Sequence, residues 1–302
     1  TMAKSSLKTR EKVAALGFVA PLFIGFALFT AVPLVVAVIY SLVDYMPLHG
    51  KISPVSFKVY AELFKGQLTM LGFGQAIINT LIIMLSIPVN LLLGLLFSAL
   101  ISQKNFRGGT FFRVVYYLPA VTGAVAITLV WKLMFNETQG IVNVALKALG
   151  VIEENINWLG ITSGTVYPRL VLILKNIWGG IGGVILLYVA GVLNISSSYY
   201  EAAEIDGAGK IRQFLAITVP MLTPITFYHL ITSVIGGLQA FMDTQLLADT
   251  RVTQTIVYFI YDNGINNYRY GYASAASVLL AIAVMIITVL QFKLSDKWVY
   301  SE

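Results

Sequence analysis

The sequence predicts an all-α polytopic membrane protein with six transmembrane helices, and three observations carry that prediction. The first is composition: of 302 residues, 58% are hydrophobic and only 11% charged, against about 25% charged in an ordinary globular domain. So few charges cannot cover a water-facing surface, which excludes a soluble enzyme, a nucleic-acid binder and a disordered chain. The second is the recurrence of apolar stretches long enough to cross a hydrocarbon layer about 30 Å thick. The third is the uneven placement of Lys and Arg between those stretches. Cysteine is absent, so disulfides, thiolate zinc sites and iron–sulfur clusters are excluded. Two histidines, His49 and His229, are too few for a histidine-based metal site.

The first span covers 13–43 and contains Pro21 and Pro33. Lys4, Lys8, Arg10 and Lys12 precede it, as in a signal peptide, but its apolar run is far longer than a signal core and it reads as retained. Thr1, ahead of Met2, reads as an addition to the natural start. The second span runs from Ala76 to Ile101 around Pro88, the third from Phe111 to Phe135, and the fourth from Leu170 to Leu193. The fifth covers Met221–Leu247 and the sixth Tyr272–Phe292. Proline is tolerated within such spans because neighbouring helices and local adjustments satisfy the freed carbonyls.

Six spans put both termini on one side. The amino tail, the 102–113 loop with Lys104, Arg107 and Arg113, the 195–219 loop and the tail from Lys293 carry eleven basic residues against six acidic, a net of +5. The opposite loops carry eight basic against seven acidic, a net of +1. The positive-inside rule then places both ends in the cytoplasm. Of the outer loops, Asp44–Gln75 is mixed, with a short helix expected over Phe57–Phe64. Asn136–Pro168 carries an amphipathic helix expected over Ile141–Leu149, and Trp131, Trp158 and Tyr167 stand where interfacial anchors belong.

The 195–219 loop spends far more residues than a membrane hairpin needs. Ser198 with Glu201 three residues on reads as a capping box that starts a helix, and Gly207 and Gly209 stop it. A second helical piece begins at Ile211 and runs toward Pro220. Such a short helix fits two readings: docking into another protein's groove, or a solvated hairpin helix at the membrane surface.

Glu201-Ala202-Ala203, Gly207, Ile217 and Pro220 fit the EAA motif: E-A-A, three residues, G, nine residues, I, one residue, L, P. Val219 stands where leucine is usual. The chain therefore resembles permease subunits of ATP-binding-cassette importers. Within them it is similar to the carbohydrate-uptake branch of maltose and glycerol-3-phosphate permeases, through Tyr116-Tyr-Leu-Pro119, Asn176-Ile-Trp178 and Thr253-Gln-Thr255 followed by Tyr258. It departs from that branch at Ser196, where proline is usual, and at Ala248-Asp-Thr-Arg251, which replaces a Thr-Gly-Gly-Gly-Pro turn.

The resemblance implies a type I importer permease fold with a cytoplasmic coupling helix. It divides the chain into a basic tail (1–12), a first helix (13–43), an extracytoplasmic loop (44–75), a permease core (76–293) with five further helices, and a tail (294–302). It implies four partners beyond the bilayer: a second homologous permease forming a heterodimer, two cytosolic ATPase subunits, an extracytoplasmic solute-binding protein, and a carbohydrate. Glu201, Ala202, Ala203, Asp206, Gly207, Ala208 and Gly209 would contact the ATPase. The chain has no phosphate-binding G-x-x-x-x-G-K-[ST], since Gly209-Lys210 is followed by Ile211. No cofactor is expected in it, and ATP with Mg would sit in the ATPase. The location implied is a bacterial or archaeal plasma membrane.

Polar residues at membrane depth are the candidates for the solute path, because they are costly in lipid. The fourth span offers Lys175, Asn176, Trp178 and the Gly179-Gly180-Ile-Gly182-Gly183 run; the fifth offers His229, Gln239 and Asp243; the second offers Asn79. Asn176 and Gln239 fall where the resemblance places cavity-lining amides. Trp178, Gly180 and Asp243 complete the expected set. Bland readings stand beside these: Lys175 snorkelling outward, glycines that only allow close packing, His229 as an interior hydrogen-bonded residue. Three other function classes remain open: a self-sufficient secondary transporter or channel, an importer for a non-sugar solute, and a membrane-embedded enzyme. Asp243 as the only deep acid weighs against the first, and no nucleophile or metal cluster supports the last.

Overall fold

The structure, a computed structural model, describes residues 2–43, 45–47, 50–52, 55–65, 72–102, 109–162 and 164–300. His49, Lys104, Arg107 and Glu302 lie outside the described residues, as do the side chains of Lys4, Lys8, Arg10, Glu11 and Arg113.

The chain opens with helix α1 (Met2–Phe26), a π turn (Ala27–Ala31) and α2 (Val32–Ser41). A two-stranded antiparallel ribbon follows, β1 (Tyr45–Met46) and β2 (Lys51–Ile52), with Tyr45 opposite Ile52. Next come α3 (Lys58–Leu63), α4 (Phe73–Ile83) and α5 (Ser86–Ile101), then α6 (Gly109–Val121), α7 (Ala124–Met134) and α8 (Ile141–Ala148). The long α9 (Val166–Asn194) leads to α10 (Ser197–Ile205), α11 (Lys210–Gln213), a π turn (Phe214–Thr218) and α12 (Val219–Met221). The remainder is α13 (Thr223–Leu238), α14 (Met242–Leu246), α15 (Thr250–Thr253), α16 (Ile256–Tyr261), a π turn (Asp262–Asn266) and α17 (Tyr270–Ser295).

Proline shapes several of these elements. The N–H groups of Val32 and Val219 bond carbonyls five residues back, at Ala27 and Phe214, and each stands one residue before a proline, Pro33 or Pro220. Proline has no N–H and its ring crowds the carbonyl four residues back, so a widened turn just ahead of it lets the helix continue. Pro168 and Pro224 sit in the first turns of α9 and α13, where backbone donors are free in any case.

Among the described residues four spans are long and apolar enough to cross a membrane: Ala14–Ser41, Phe73–Ile101, Val166–Asn194 and Tyr270–Ser295. The pair Lys210–Met221 and Thr223–Leu238, bent by 59°, makes a fifth if taken as one span. The expected third span is instead two short helices, α6 and α7, parted at Thr122-Gly123. Gly123 is extended there (φ −58°, ψ 132°), four residues after Pro119 inside α6. The expected fifth span also breaks, at Gln239–Phe241. The first helix starts at Met2 rather than Val13; only its apolar part, from Ala14, is a span. The short helices expected over 57–64 and 141–149 are α3 and α8.

Two compact units are distinguished, Thr1–Lys65 with Ile260–Leu279, and Gly66–Phe259 with Leu280–Glu302. In the first, the Tyr60 hydroxyl donates to Ser41 Oγ at 2.8 Å, and Tyr40, Tyr45 and Tyr270 form a ring cluster. In the second, α9 is the central element. Its Val171 and Leu172 pack with Ile83, Phe135 and Leu247. Ile181 and Ile185 pack on Ile101, and Val184 and Tyr188 pack on Leu222. Helix α6 lies so close to α9 that a Cβ at Gly182 would stand 2.0 Å from the Tyr116 carbonyl oxygen. Only glycine permits that crossing.

Candidate functional site

A cavity of about 850 Å³ opens within the second unit, between α4–α5, the Pro119–Ala124 corner, α9 and α13 with its break. Asn176, Gly180, Gln239 and Asp243 line it, together with Asn90 and Lys175. Helical geometry explains the set from α9. Lys175, Asn176, Gly179 and Gly180 are spaced so that they share one face at 3.6 residues per turn. Trp178 is two residues, about 200°, from Asn176. It accordingly lies outside the cavity, 37% exposed and tilted against Trp131 at 6.0 Å, which corrects its assignment to the path.

Lys175 does not snorkel outward. It is buried at 8% exposure, and its ammonium pairs with Asp243 Oδ1, to which Thr128 Oγ1 also donates at 3.0 Å. A charge taken out of water is held only when paired and hydrogen-bonded, and here the pair joins α9 to α14. Asn90 was not singled out by the sequence. Its Nδ2 donates to the Asn176 carbonyl at 3.1 Å, while its Oδ1 is buried with no partner among the described residues. A Cβ at Gly180 would stand 2.7 Å from that same Nδ2, so glycine leaves room for the amide. The available signal was an amide two residues after Pro88, inside the second span.

The break at Gln239–Phe241 puts polar backbone at membrane depth, which is tolerated where it lines a cavity or is buried in protein. The Thr253-Gln-Thr255 stretch supplies the support. The Thr255 hydroxyl donates to the Ala240 carbonyl at 2.5 Å, and Phe241 stacks on Tyr258 at 6.2 Å. Asn79 holds this stretch in turn, donating to the Gln254 carbonyl at 3.0 Å and accepting from Gln75 at 3.1 Å, and Thr80 Oγ1 accepts from the Ile256 N–H. Asn79 is fully buried and away from the cavity, so it is a prop rather than a path residue. Asn79→Leu removes the bond to the Gln254 carbonyl and is expected to cost about 1–3 kcal/mol of stability. The measurement is the thermal midpoint of the solubilised assembly; an unchanged midpoint would mean that other contacts suffice. His229 is buried beside Tyr188, and its Nε2 lacks a hydrogen-bond partner among the described residues, unlike the satisfied interior histidine the sequence suggested.

The 195–219 loop forms α10, whose N-cap is Ser196 rather than Ser198: the Ser196 hydroxyl accepts from the Ser198 N–H. Counting from that cap, the third helical position is Tyr199, so Glu201 is no part of a capping box. Its carboxylate is exposed and, among the described residues, has no partner. Ala202 and Ala203 continue the helix. Asp206 closes it, and Gly207 turns the chain at φ +76°. The Gly207 N–H donates to Glu204 O at 3.0 Å and the Ala208 N–H to Ala203 O at 2.8 Å, the paired bonds of a Schellman ending. Gly209 caps α11 in extended conformation. Lys210 pairs with Glu204 and holds that carboxyl below the usual carboxylate range. Ile205 and Ile211 stand 87% and 78% exposed on this loop.

The family described as "Binding-protein-dependent transport system inner membrane component" matches residues 90–300. The probable ABC transporter permease protein YesP of Bacillus subtilis (strain 168) is 30% identical over 308 residues, covering 100% of this chain and 96% of the relative. The lactose transport system permease protein LacF of Rhizobium radiobacter is 30% identical, covering 97% of each. The arabinooligosaccharides transport system permease protein AraP of Bacillus subtilis (strain 168) is also 30% identical, covering 95% of this chain and 90% of the relative. Among solved structures, a chain of a bacterial ABC transporter involved in the import of the acidic polysaccharide alginate has a similar fold, with a TM-score of 0.82 at 23% identity over 98% of this chain and 99% of that one.

Proposed function

Because the chain belongs to the family of binding-protein-dependent transport system inner membrane components, we propose that it forms half of the translocation path of an ATP-driven importer for a carbohydrate or related polyhydroxy solute. The observation that carries this reading is the cavity wall, where the amide residues Asn176 and Gln239, with Asn90 beside them, line a space of about 850 Å³. An amide both donates and accepts, as a sugar hydroxyl does. The lactose and arabinooligosaccharide permeases among its relatives support the same solute class.

The chain is a non-enzymatic membrane subunit, and ATP hydrolysis belongs to a separate ATPase, with ATP and Mg held there. A solute-binding protein delivers the solute, as the alginate transporter's complex with its pentasaccharide-bound periplasmic protein suggests. A second, homologous permease closes the path as a heterodimer, and both termini face the cytoplasm. The exposed Ile205 and Ile211, with Glu201, Ala202, Ala203, Asp206, Gly207, Ala208 and Gly209, form the surface that the ATPase subunits grip. Closure of the ATPase pair moves α10, tilts the spans and turns the cavity from one side of the membrane to the other.

Reconstitution tests the assembly. In liposomes the chain alone neither hydrolyses ATP nor accumulates solute; uptake appears with the second permease, the ATPase pair and loaded binding protein. Solute uptake by the chain alone would establish a self-sufficient transporter instead.

A further inference from the structure

We propose that the cavity is built for an uncharged polyhydroxy solute and rejects acidic ones, a preference that rests on the reading of this cavity as a carbohydrate path. Lys175 and Asp243 are the only ionisable residues among the described residues that line it, and they pair with each other. An ammonium paired at contact with a carboxylate presents a dipole whose field falls off within a few ångströms, rather than a cation that attracts anions. Asp243 is further committed by the Thr128 hydroxyl, so neither member of the pair is free to exchange its partner without loss.

The remaining polar groups of the described lining are neutral and supply no charge of their own. Asn90 Oδ1 is a buried acceptor with no partner among the described residues. A uronate entering this cavity would give up hydration and meet no free cation in exchange, which makes its transfer costly. A neutral sugar carries no charge to desolvate and replaces its hydration with hydrogen bonds to Asn176 and Gln239.

The test uses the complex of this chain, the second permease and the ATPase pair in nanodiscs, without binding protein, so that only the path's own preference is read. Equilibrium dialysis compares neutral oligosaccharides with uronate oligosaccharides of equal length. The wild-type complex is expected to favour the neutral set by roughly tenfold, because a carboxylate gives up hydration there with no cation in exchange. Asp243→Asn, which frees the Lys175 cation, should erase that preference by raising uronate binding about tenfold. Lys175→Gln should strengthen it, and Lys175→Met with Asp243→Asn should restore it. Uronates bound as tightly as neutral sugars by the wild type would overturn the inference while leaving the carbohydrate reading intact, and this arm needs no variant. So would a neutral-to-uronate ratio unmoved in both single variants. If no saccharide of either kind binds, the carbohydrate reading itself falls and this one with it.

Discussion

Leucine at Gln239 or at Asn176 is expected to lower the assembled importer's affinity for its solute by roughly 5- to 150-fold, the range that about 1–3 kcal/mol of lost polar contact spans. The two amides reach the cavity from different elements. Asn176 lies on the Lys175–Gly180 face of α9, and Gln239 lies at the break that ends α13. Neither side chain is needed to hold the chain's own framework: the supporting contacts there belong to Asn90, Thr255 and the Lys175–Asp243 pair. Both variants should therefore assemble, which separates loss of solute contact from loss of fold. Trp178→Leu makes the contrast, because Trp178 packs on Trp131 outside the cavity and should leave solute affinity unchanged. Concentration-dependent uptake in proteoliposomes, with assembly checked by size-exclusion chromatography, reads all three. Wild-type uptake by both amide variants would move the path to another wall.

Much of this was legible from residues whose role is local. The EAA stretch could be read because its glycine and proline perform backbone tasks that sequence spacing reveals: Gly207 supplies a positive φ and Pro220 follows a widened turn. The helix start was misplaced by two residues, since serines at both 196 and 198 satisfy the local rule and only the conformation of Ser196 decides between them. Partnerships across the fold were not legible. Lys175 and Asp243 are 68 residues apart in the chain, and Asn79 and Gln254 are 175 apart. A sequence shows one deep acid and one deep cation but not that they meet. Trp178 was a different kind of miss, because helical periodicity alone places it opposite Asn176. The broken third and fifth spans were hidden by their apolarity: hydropathy registers which residues stand in lipid, not whether their backbone is continuous.

The coupling loop gives the second large effect. Glu201→Gln is expected to leave membrane insertion and permease pairing intact and to lower solute-stimulated ATP hydrolysis about tenfold or more, because a hydrogen bond to a charged group is worth about 1.5–3 kcal/mol. The structure sharpens this expectation. With Ser196 as N-cap, Glu201 has no capping duty for glutamine to inherit, and its carboxylate makes no contact with the described residues of its own chain. A loss of stimulation on neutralising it is then the result expected of a pair with a cation on the ATPase. Glu204, three residues on, is the internal control: its carboxylate is committed to Lys210 in an exposed pair, and Glu204→Gln should change coupling little. Gly207→Pro is the positive control. It removes the N–H that donates to Glu204 O and forbids a φ of +76°, so the end of α10 unravels and coupling fails whatever Glu201 does. The assay is ATPase activity of the reconstituted complex with and without loaded binding protein. Full stimulation in Glu201→Gln, with Gly207→Pro inactive, would leave the loop as the coupling element and reduce the Glu201 carboxylate to a solvated charge on its surface.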